Sequence, residues 1–345
     1  MSRLHHHLAF AYEEPRCHGV LRSALEDFQV EEVLGFEPDG EGEHVFLYVE
    51  KRNTNTQWLA EQLARYANIP KRDVGYAGLK DKNAVSRQWF SLGMAGKAEP
   101  DWSKPGIEGV SVLRHLRHRR KLRRGTLQGN RFVLLLRDLA GDMDDLERRL
   151  QRIARRGVPN YFGEQRFGHN DANIEQAVAM FKGRPIRNRN KRSLYLSAAR
   201  AFLFNELLSE RVRSDEWDRA IDGDVMLLAG TNSYFVIEKV TDEIHQRVRD
   251  FDIHPSGCLW GRGVPAAQGD AGRMELALPQ VHPVLCRGLE KAGVEQSRRA
   301  FRLPVKELQW RLERKSGVLE LRFFLPAGAY ATSVVREICI CATRV

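Results

Sequence analysis

Asp81 stands between Lys80 and Lys82 in GYAGLKDKNAVSRQWFSL, residues 75–92, a stretch punctuated by Gly75 and Gly78. By conformational preference alone, an acid among glycines belongs to a turn. Its neighbours narrow the chemistry it could do. A metal-dependent nuclease needs two or more carboxylates converging on cations, and ammonium groups on both sides of Asp81 oppose a divalent ion. The same lysines suit a carboxylate that must stay charged beside a bound base, because burial disfavours the ionised form and nearby cations favour it. A single aspartate can then act by covalent attack on an electrophilic carbon. The chain has no GxxxxGK[ST] phosphate loop, no HxE with PCxxC and no GxSxG elbow.

The partner class follows from charge. The 345 residues include 55 Lys and Arg against 45 Asp and Glu, a net charge of +10. Such a balance favours polyanions and says nothing about fold. Two stretches concentrate it without a single acid: RHLRHRRKLRR at 114–124, with seven basic residues in eleven, and KGRPIRNRNKR at 182–192, with six in eleven. Solvated faces normally mix signs, and one-signed blocks repel themselves unless a polyanion neutralises them. Nucleic acid is the expected partner. Phosphate contacts make binding salt-dependent and carry no sequence information, so base recognition needs exposed aromatic and polar groups. Phe28, Phe132 and Tyr330 are candidates, each placed at or near a strand end, although any one of them taken singly reads first as core.

The five cysteines, at 17, 258, 286, 339 and 341, form no CxxC pair and support neither a zinc ribbon nor a disulfide framework. A reducing compartment is expected. The N-terminus, MSRLHHHLAFAYEEP, lacks the apolar run of a signal peptide, and no window reaches about 18 consecutive apolar residues. Cytoplasmic location without membrane contact is the expectation. The histidines at 5–7 are read as a solvated terminus instead of a tag or metal site.

The elements that must position Asp81 follow from periodicity. In DFQVEEV, 27–33, and EHVFLYVEK, 43–51, apolar residues alternate as in strands. Thr54 and Gln57 predict a capping box opening the helix TNTQWLAEQLARYA, with Pro70 closing it. VGYAG then reads as a strand end, GLKDKNA as a loop and VSRQWFSL as a strand, which puts Asp81 on a loop between buried strands. NRFVLLLRD predicts a central strand, followed by a helix with Leu146, Leu150 and Ile153 on one stripe and Gly157 and Pro159 at its end. Leu308 to Leu325 predicts a hairpin, and a short helix is expected from Ala329 to Ile338. The middle differs: it opens on NYFGEQRFG, carries a helix around SLYLSAARAFLFNELLSERV, and has many Gly and Pro breaks after 220. At this length two domains, or one with a large insertion, are expected. The division predicted is 1–156 plus 305–345, interrupted by 157–304.

Four blocks, EDFQVEE at 26–32, AGLKDKNAVSRQWFS at 77–91, NYFGEQRFG at 160–168 and LPAGAYATSVVREI at 325–338, together resemble the TruD family of tRNA pseudouridine synthases, in order and spacing and over nearly the whole chain. The resemblance implies an α+β fold, a pseudouridine synthase-like mixed, mainly antiparallel sheet with flanking helices, interrupted by an inserted α/β TRUD domain that closes over a positively charged cleft. It implies isomerisation of uridine in tRNA, chiefly at position 13 in the D arm, with no cofactor and no metal, by a protein expected to be a monomer. Asp81 matches the family's catalytic aspartate. Attack on the sugar C1′ and attack on the base C6 both remain open. Base flipping costs a few kcal/mol that stacking must offset, and Phe28 matches the family's phenylalanine for that task. Asn130 and Phe132 fall on the GN.F substrate-pocket positions, and Tyr330 on the pocket aromatic near the C-terminus.

Arg22 falls where the family has a basic residue pairing with the aspartate, and a guanidinium can grip a carboxylate in two places. Leu25 replaces the proline that often precedes EDF, which bears on the local turn. Lys80 and Lys82 are read as setting local potential or contacting phosphate, not as proton carriers. Glu164, Arg166 and His169 are assigned to packing. The alternatives are a non-catalytic RNA-binding or RNA-folding module, which would tolerate Asp81→Asn, and an RNA-cleaving metalloenzyme, which would demand magnesium and a second carboxylate.

Overall fold

The computed structural model describes residues 8–343, so the histidines at 5–7 lie outside the described residues. Two compact units share the chain, the first formed by Arg16–Leu146, Val305–Gly328 and 339–343, the second by 8–15, Glu147–Pro304 and Ala329–Ile338. The first unit begins with β1 (Cys17–Leu21), β2 (Phe28–Val33), β3 (His44–Arg52), α1 (Thr56–Tyr66), β4 (Val74–Tyr76), β5 (Val85–Gly93), β6 (Val110–His118) and β7 (Gly129–Gly141). Helix α2 (Met143–Arg156) belongs to it as far as Leu146.

The second unit continues with β8 (Val158–Pro159), α3 (Ala172–Phe181), α4 (Arg189–Arg213), β9 (Val225–Leu228), β10 (Tyr234–Val236) and α5 (Asp242–Arg249). It then adds β11 (Ile253–Leu259), α6 (Gly269–Val281), α7 (Pro283–Lys291), β12 (Ser297–Ala300) and β13 (Arg302–Leu303). Strands β14 (Lys306–Glu313) and β15 (Val318–Pro326) return to the first unit, α8 (Ala331–Ile338) to the second, and β16 (Ile340–Thr343) to the first. Among the described residues no helix is long and apolar enough to cross a membrane.

In the first unit the sheet runs β14-β15-β7-β2-β5-β3-β6, with β1 beside β7 and β16, and β4 beside β5. Among the described residues of this sheet, only β2 with β5 and β1 with β16 pair in parallel; the other ladders are antiparallel. The expected mixed, mainly antiparallel α+β architecture is the one observed. β7 is its centre, as its apolar run predicts. β15 covers one edge of β7 from Gly129 to Leu136, while β2 and β1 share the other edge, β2 against Gly129–Leu134 and β1 against Leu136–Gly141.

The face of β3 carrying Val45, Leu47 and Val49 packs with Phe90 and Leu92 of β5 against Leu59 and Leu63 of α1. Burying each such side chain contributes roughly 1.5–3 kcal/mol. The helix start differs from the expected capping box. Asn55 is the cap, its side chain accepting from the Gln57 and Trp58 amides, while the Thr54 hydroxyl turns back to donate to the Arg52 carbonyl. Either residue type can cap, and the one whose backbone is extended immediately before the first helical turn wins. α2 opens with the Asp142 carboxylate accepting from the Asp145 amide, and the expected stripe of Leu146, Leu150 and Ile153 is fully buried.

The second unit is organised around α4, with an antiparallel sheet ordered β10-β9-β11-β12. Arg211 of α4 and Asp224 beside β9 form a two-pronged ion pair at 2.8 and 3.0 Å, both side chains 1% exposed. Asp224 also accepts from the Ile221 amide. Removing one member of such a pair leaves a buried charge without compensation, at about 3–5 kcal/mol. Asp224→Ala is therefore expected to lower the melting temperature by roughly 10 °C, and the paired change Arg211→Met with Asp224→Leu to restore most of it, as calorimetry would record.

Candidate active site

Strand alternation decides what lies beneath Asp81. On β3 the residue in phase with Val45, Leu47 and Val49 is Lys51; on β2 the one in phase with Phe28 and Val30 is Glu32; on β5, Ser86 and Gln88 are in phase with Phe90 and Leu92. All four are buried. One end of this face is therefore apolar and packs α1, and the other is polar and holds the 78–84 loop. The Lys80 amide donates to the Thr56 hydroxyl, which donates to Gln88 Oε1, and Gln88 Nε2 donates to the Gly78 carbonyl. Lys51 Nζ donates to the carbonyl oxygens of Thr54 at 2.7 Å and of Asp81 at 3.0 Å.

The Asp81 carboxylate, 32% exposed, is met by Arg22 Nη2 at 2.5 Å. Arg22 follows β1 with φ of 66°, a left-handed conformation that costs a non-glycine residue roughly 1–2 kcal/mol. Its guanidinium lies 4.0 Å from the centre of the Phe28 ring, so one cation touches both the acid and the aromatic. Phe28 meets Phe132 edge to face at 6.1 Å, and Phe132 stacks on Phe323 at 5.4 Å. Both Phe28 and Phe132 are buried. Phe132 lies near the start of β7, as its pattern suggested. Asn130 lies opposite Glu32 in the β2–β7 ladder, and its Oδ1 is buried with no hydrogen-bond partner among the described residues.

Asp27 shapes the approach to Phe28. Its buried carboxylate accepts from the Ala24 amide and from Nε and Nη2 of Arg137, closing the turn in which Leu25 stands. Lys80, read as setting local potential or contacting phosphate, is turned inward. Its side chain is 6% exposed and its ammonium pairs with buried Glu32 at 2.6 Å, while Glu32 also accepts from the Trp89 amide. Gly75 is required by close approach, since a Cβ there would lie 2.2 Å from the Leu122 carbonyl oxygen; Gly78 is under no such constraint.

Arg22, Phe28, Asp81, Lys80, Asn130 and Phe132 all belong to the first unit, and Tyr330 to the second. There Tyr330 accepts at its hydroxyl from Arg166 Nη2 at 2.7 Å and packs edge to face with Phe162 at 6.1 Å. Arg166 also donates to the Ser197 hydroxyl, and a Cβ at Gly163 would press on Thr332 at 2.9 Å. Lys51, Glu32, Thr56 and Gln88 are the site's supports that motif reading missed. The signal for two of them was present: a charged residue in phase with an otherwise apolar strand face.

The two basic stretches behave differently. In 114–124, part of which forms β6, Arg117 pairs with Glu99, Arg119 with Glu41 and His118 with Asp39, acids from distant sequence that the stretch itself lacks. Arg120 and Arg123 remain exposed without an ion pair among the described residues. They line a concavity floored by Phe36, Phe46 and His118, in which His118 stacks on Phe36 at 5.1 Å. In 182–192 the six cations are exposed and form no ion pair among the described residues. Three of them crowd the first turn of α4, where the positive end of the helix dipole repels them.

The family model described as tRNA pseudouridine synthase D (TruD) matches residues 6–179 and 174–338. The chain is 50% identical over 330 residues to the tRNA pseudouridine synthase D of Methylococcus capsulatus, covering 95% of this chain and 93% of the relative. It is 46% identical to that of Hydrogenovibrio crunogenus, covering 96% of each. Among solved structures, the putative tRNA pseudouridine synthase D (TruD) of Methanosarcina mazei shares the fold with a TM-score of 0.72 over 95% of both chains, at 22% identity. With relatives this similar from end to end, the chain belongs to the TruD family of tRNA pseudouridine synthases.

Proposed function

We propose that this protein isomerises uridine to pseudouridine in tRNA, at uridine 13 of the D arm, with Asp81 as the nucleophile acting on a flipped-out nucleotide. The observation that carries the reading is the Asp81 carboxylate, partly open to solvent and oriented by Arg22, on a loop whose neighbouring polar groups are bonded inward. A carboxylate oxygen of Asp81 bonds to C1′ or to C6, the C1′–N1 bond breaks, the uracil turns so that C5 bonds to C1′, and the bond to Asp81 breaks, returning the free carboxylate. The C5 hydrogen leaves as a proton and N1 takes one up. Atoms and electrons balance without an oxidant, a reductant or a second substrate.

Pre-oriented ionic contacts matter here because positioning can supply much of a catalytic barrier. Arg22 fixes the carboxylate through Oδ2. Phe28 and Phe132 supply aromatic surface for the extruded base, and the orphaned Asn130 Oδ1 supplies an acceptor for a base N–H. The unneutralised cations of 114–124 and 182–192 supply phosphate contacts.

Tritium release from tRNA labelled at uridine C5 tests the reaction. The parent is expected to release tritium fully in EDTA, and Asp81→Asn to lose about 10³-fold or more in kcat, as removal of a nucleophile does; undiminished turnover by Asp81→Asn would remove the proposed chemistry. Sequencing the treated tRNA for pseudouridine at position 13 tests the site of modification.

Phe28→Ala is expected to lower turnover roughly 5- to 150-fold, the value of about 1–3 kcal/mol of base stacking, with tRNA association little changed. Equal losses in both, measured by stopped-flow binding and single-turnover kinetics, would argue against a role after base extrusion.

Replacing Arg120 and Arg123 together with alanine is expected to reduce the slope of log affinity against log salt by about 1.4–1.8, two phosphate contacts' worth. A slope unchanged in filter binding would place both outside the RNA footprint.

A further inference from the structure

Lys51 ends an apolar strand face with its side chain fully buried, where a lysine is seldom tolerated unless its ammonium is satisfied. Three acceptors surround Nζ: the Thr54 carbonyl at 2.7 Å, the Asp81 carbonyl at 3.0 Å and the Ser86 hydroxyl at 3.5 Å. Thr54 stands just ahead of α1, Ser86 is on β5, and Asp81 is the acid of the loop between them. One ammonium thus ties three chain segments at a single point, and the loop segment is the residue whose side chain meets Arg22.

The acceptor on Asp81 is its main-chain carbonyl, while Arg22 meets its side chain. Lys51 fixes the point from which the carboxylate projects. The neighbouring residue is held in the same manner by different groups, Lys80 through its amide on Thr56 and its ammonium on Glu32. Burial depresses the Lys51 ammonium to about 8, opposed by the Asp81 charge. An apolar residue in phase with Val45, Leu47 and Val49 would pack the strand face without that cost.

We propose that Lys51 is a positioning residue for the isomerisation, fixing the Asp81 backbone so that its carboxylate is presented to the nucleotide in one geometry. This rests on Asp81 being the reacting acid. A misplacement of about 1 Å in a reacting group can cost on the order of 10²-fold in rate. Binding of tRNA, which depends on the basic surface, is not Lys51's task.

The test uses the full chain with Lys51→Met, Lys51→Gln and Asp81→Asn in parallel, measuring kcat and KM for tRNA, melting temperature, and amide hydrogen exchange over 79–84. For Lys51→Met the expected result is a kcat about 10²-fold lower, KM within about threefold, and exchange faster in 79–84 than in β3 or β5. Lys51→Gln, which keeps an N–H donor, should recover part of the loss. The inference is overturned if Lys51→Met keeps kcat within about threefold of the parent, or if exchange rises equally across β3, β5 and the loop, which marks a core lesion only. Should Lys51→Met not fold, Lys51→Gln is judged on the same two readings. Inactive Asp81→Asn with active Lys51 variants sinks the Lys51 role alone, whereas active Asp81→Asn sinks the reading of Asp81 and this inference with it.

Discussion

The ion pair between Arg22 and Asp81 is the contact to which the rest of the first unit is subordinate. Its members come from the end of β1 and from the 78–84 loop, segments 59 residues apart, so its geometry depends on both being rigid. Arg22 is held by a left-handed backbone and by lying over the Phe28 ring. Asp81 is held through its main chain and through its neighbours. A partly exposed ion pair by itself stabilises a fold very little. Its worth is orientation, and orientation comes from the buried groups around it.

Those groups are an unusual use of a sheet face. Lys51, Glu32, Ser86 and Gln88 occupy positions that the alternation of β3, β2 and β5 assigns to the core, and each is bonded. Burying a lysine, a glutamate and a glutamine costs more than burying leucines would. The loop they hold has no ladder of its own, so its carbonyl and amide groups need partners from elsewhere. Side chains from the strand face provide them. The apolar half of that face, under α1, contributes stability, and the polar half contributes position.

The basic stretches show how three dimensions edit a charge count. Read linearly, 114–124 is a block of one sign. Folded, its β6 portion lies beside segments that bring Glu99, Glu41 and Asp39 to it, and Arg114, Arg120, Arg123 and Arg124 are left without an ion pair among the described residues. The 182–192 stretch has no such neighbours, and it sits where the helix dipole adds to its charge. Of the two, the second is the stronger electrostatic invitation to a polyanion. Neither property can be computed from composition.

Periodicity alone determined the strands β2, β3, β5 and β7, the helices α1 and α2, and the terminal hairpin, because apolar spacing at two or about 3.6 residues reports which face is buried. The resemblance to the TruD family implied that Asp81, Arg22 and Phe28 share one site, and in the fold Arg22 contacts both of the others. The cap at Asn55 in place of Thr54 and the pairing of Lys80 with Glu32 were decided by tertiary structure. So was Lys51, whose side chain could read equally as the solvated end of a strand. Local sequence reports which way a residue faces; what it meets there depends on chain segments tens of residues away, and only folding brings those together.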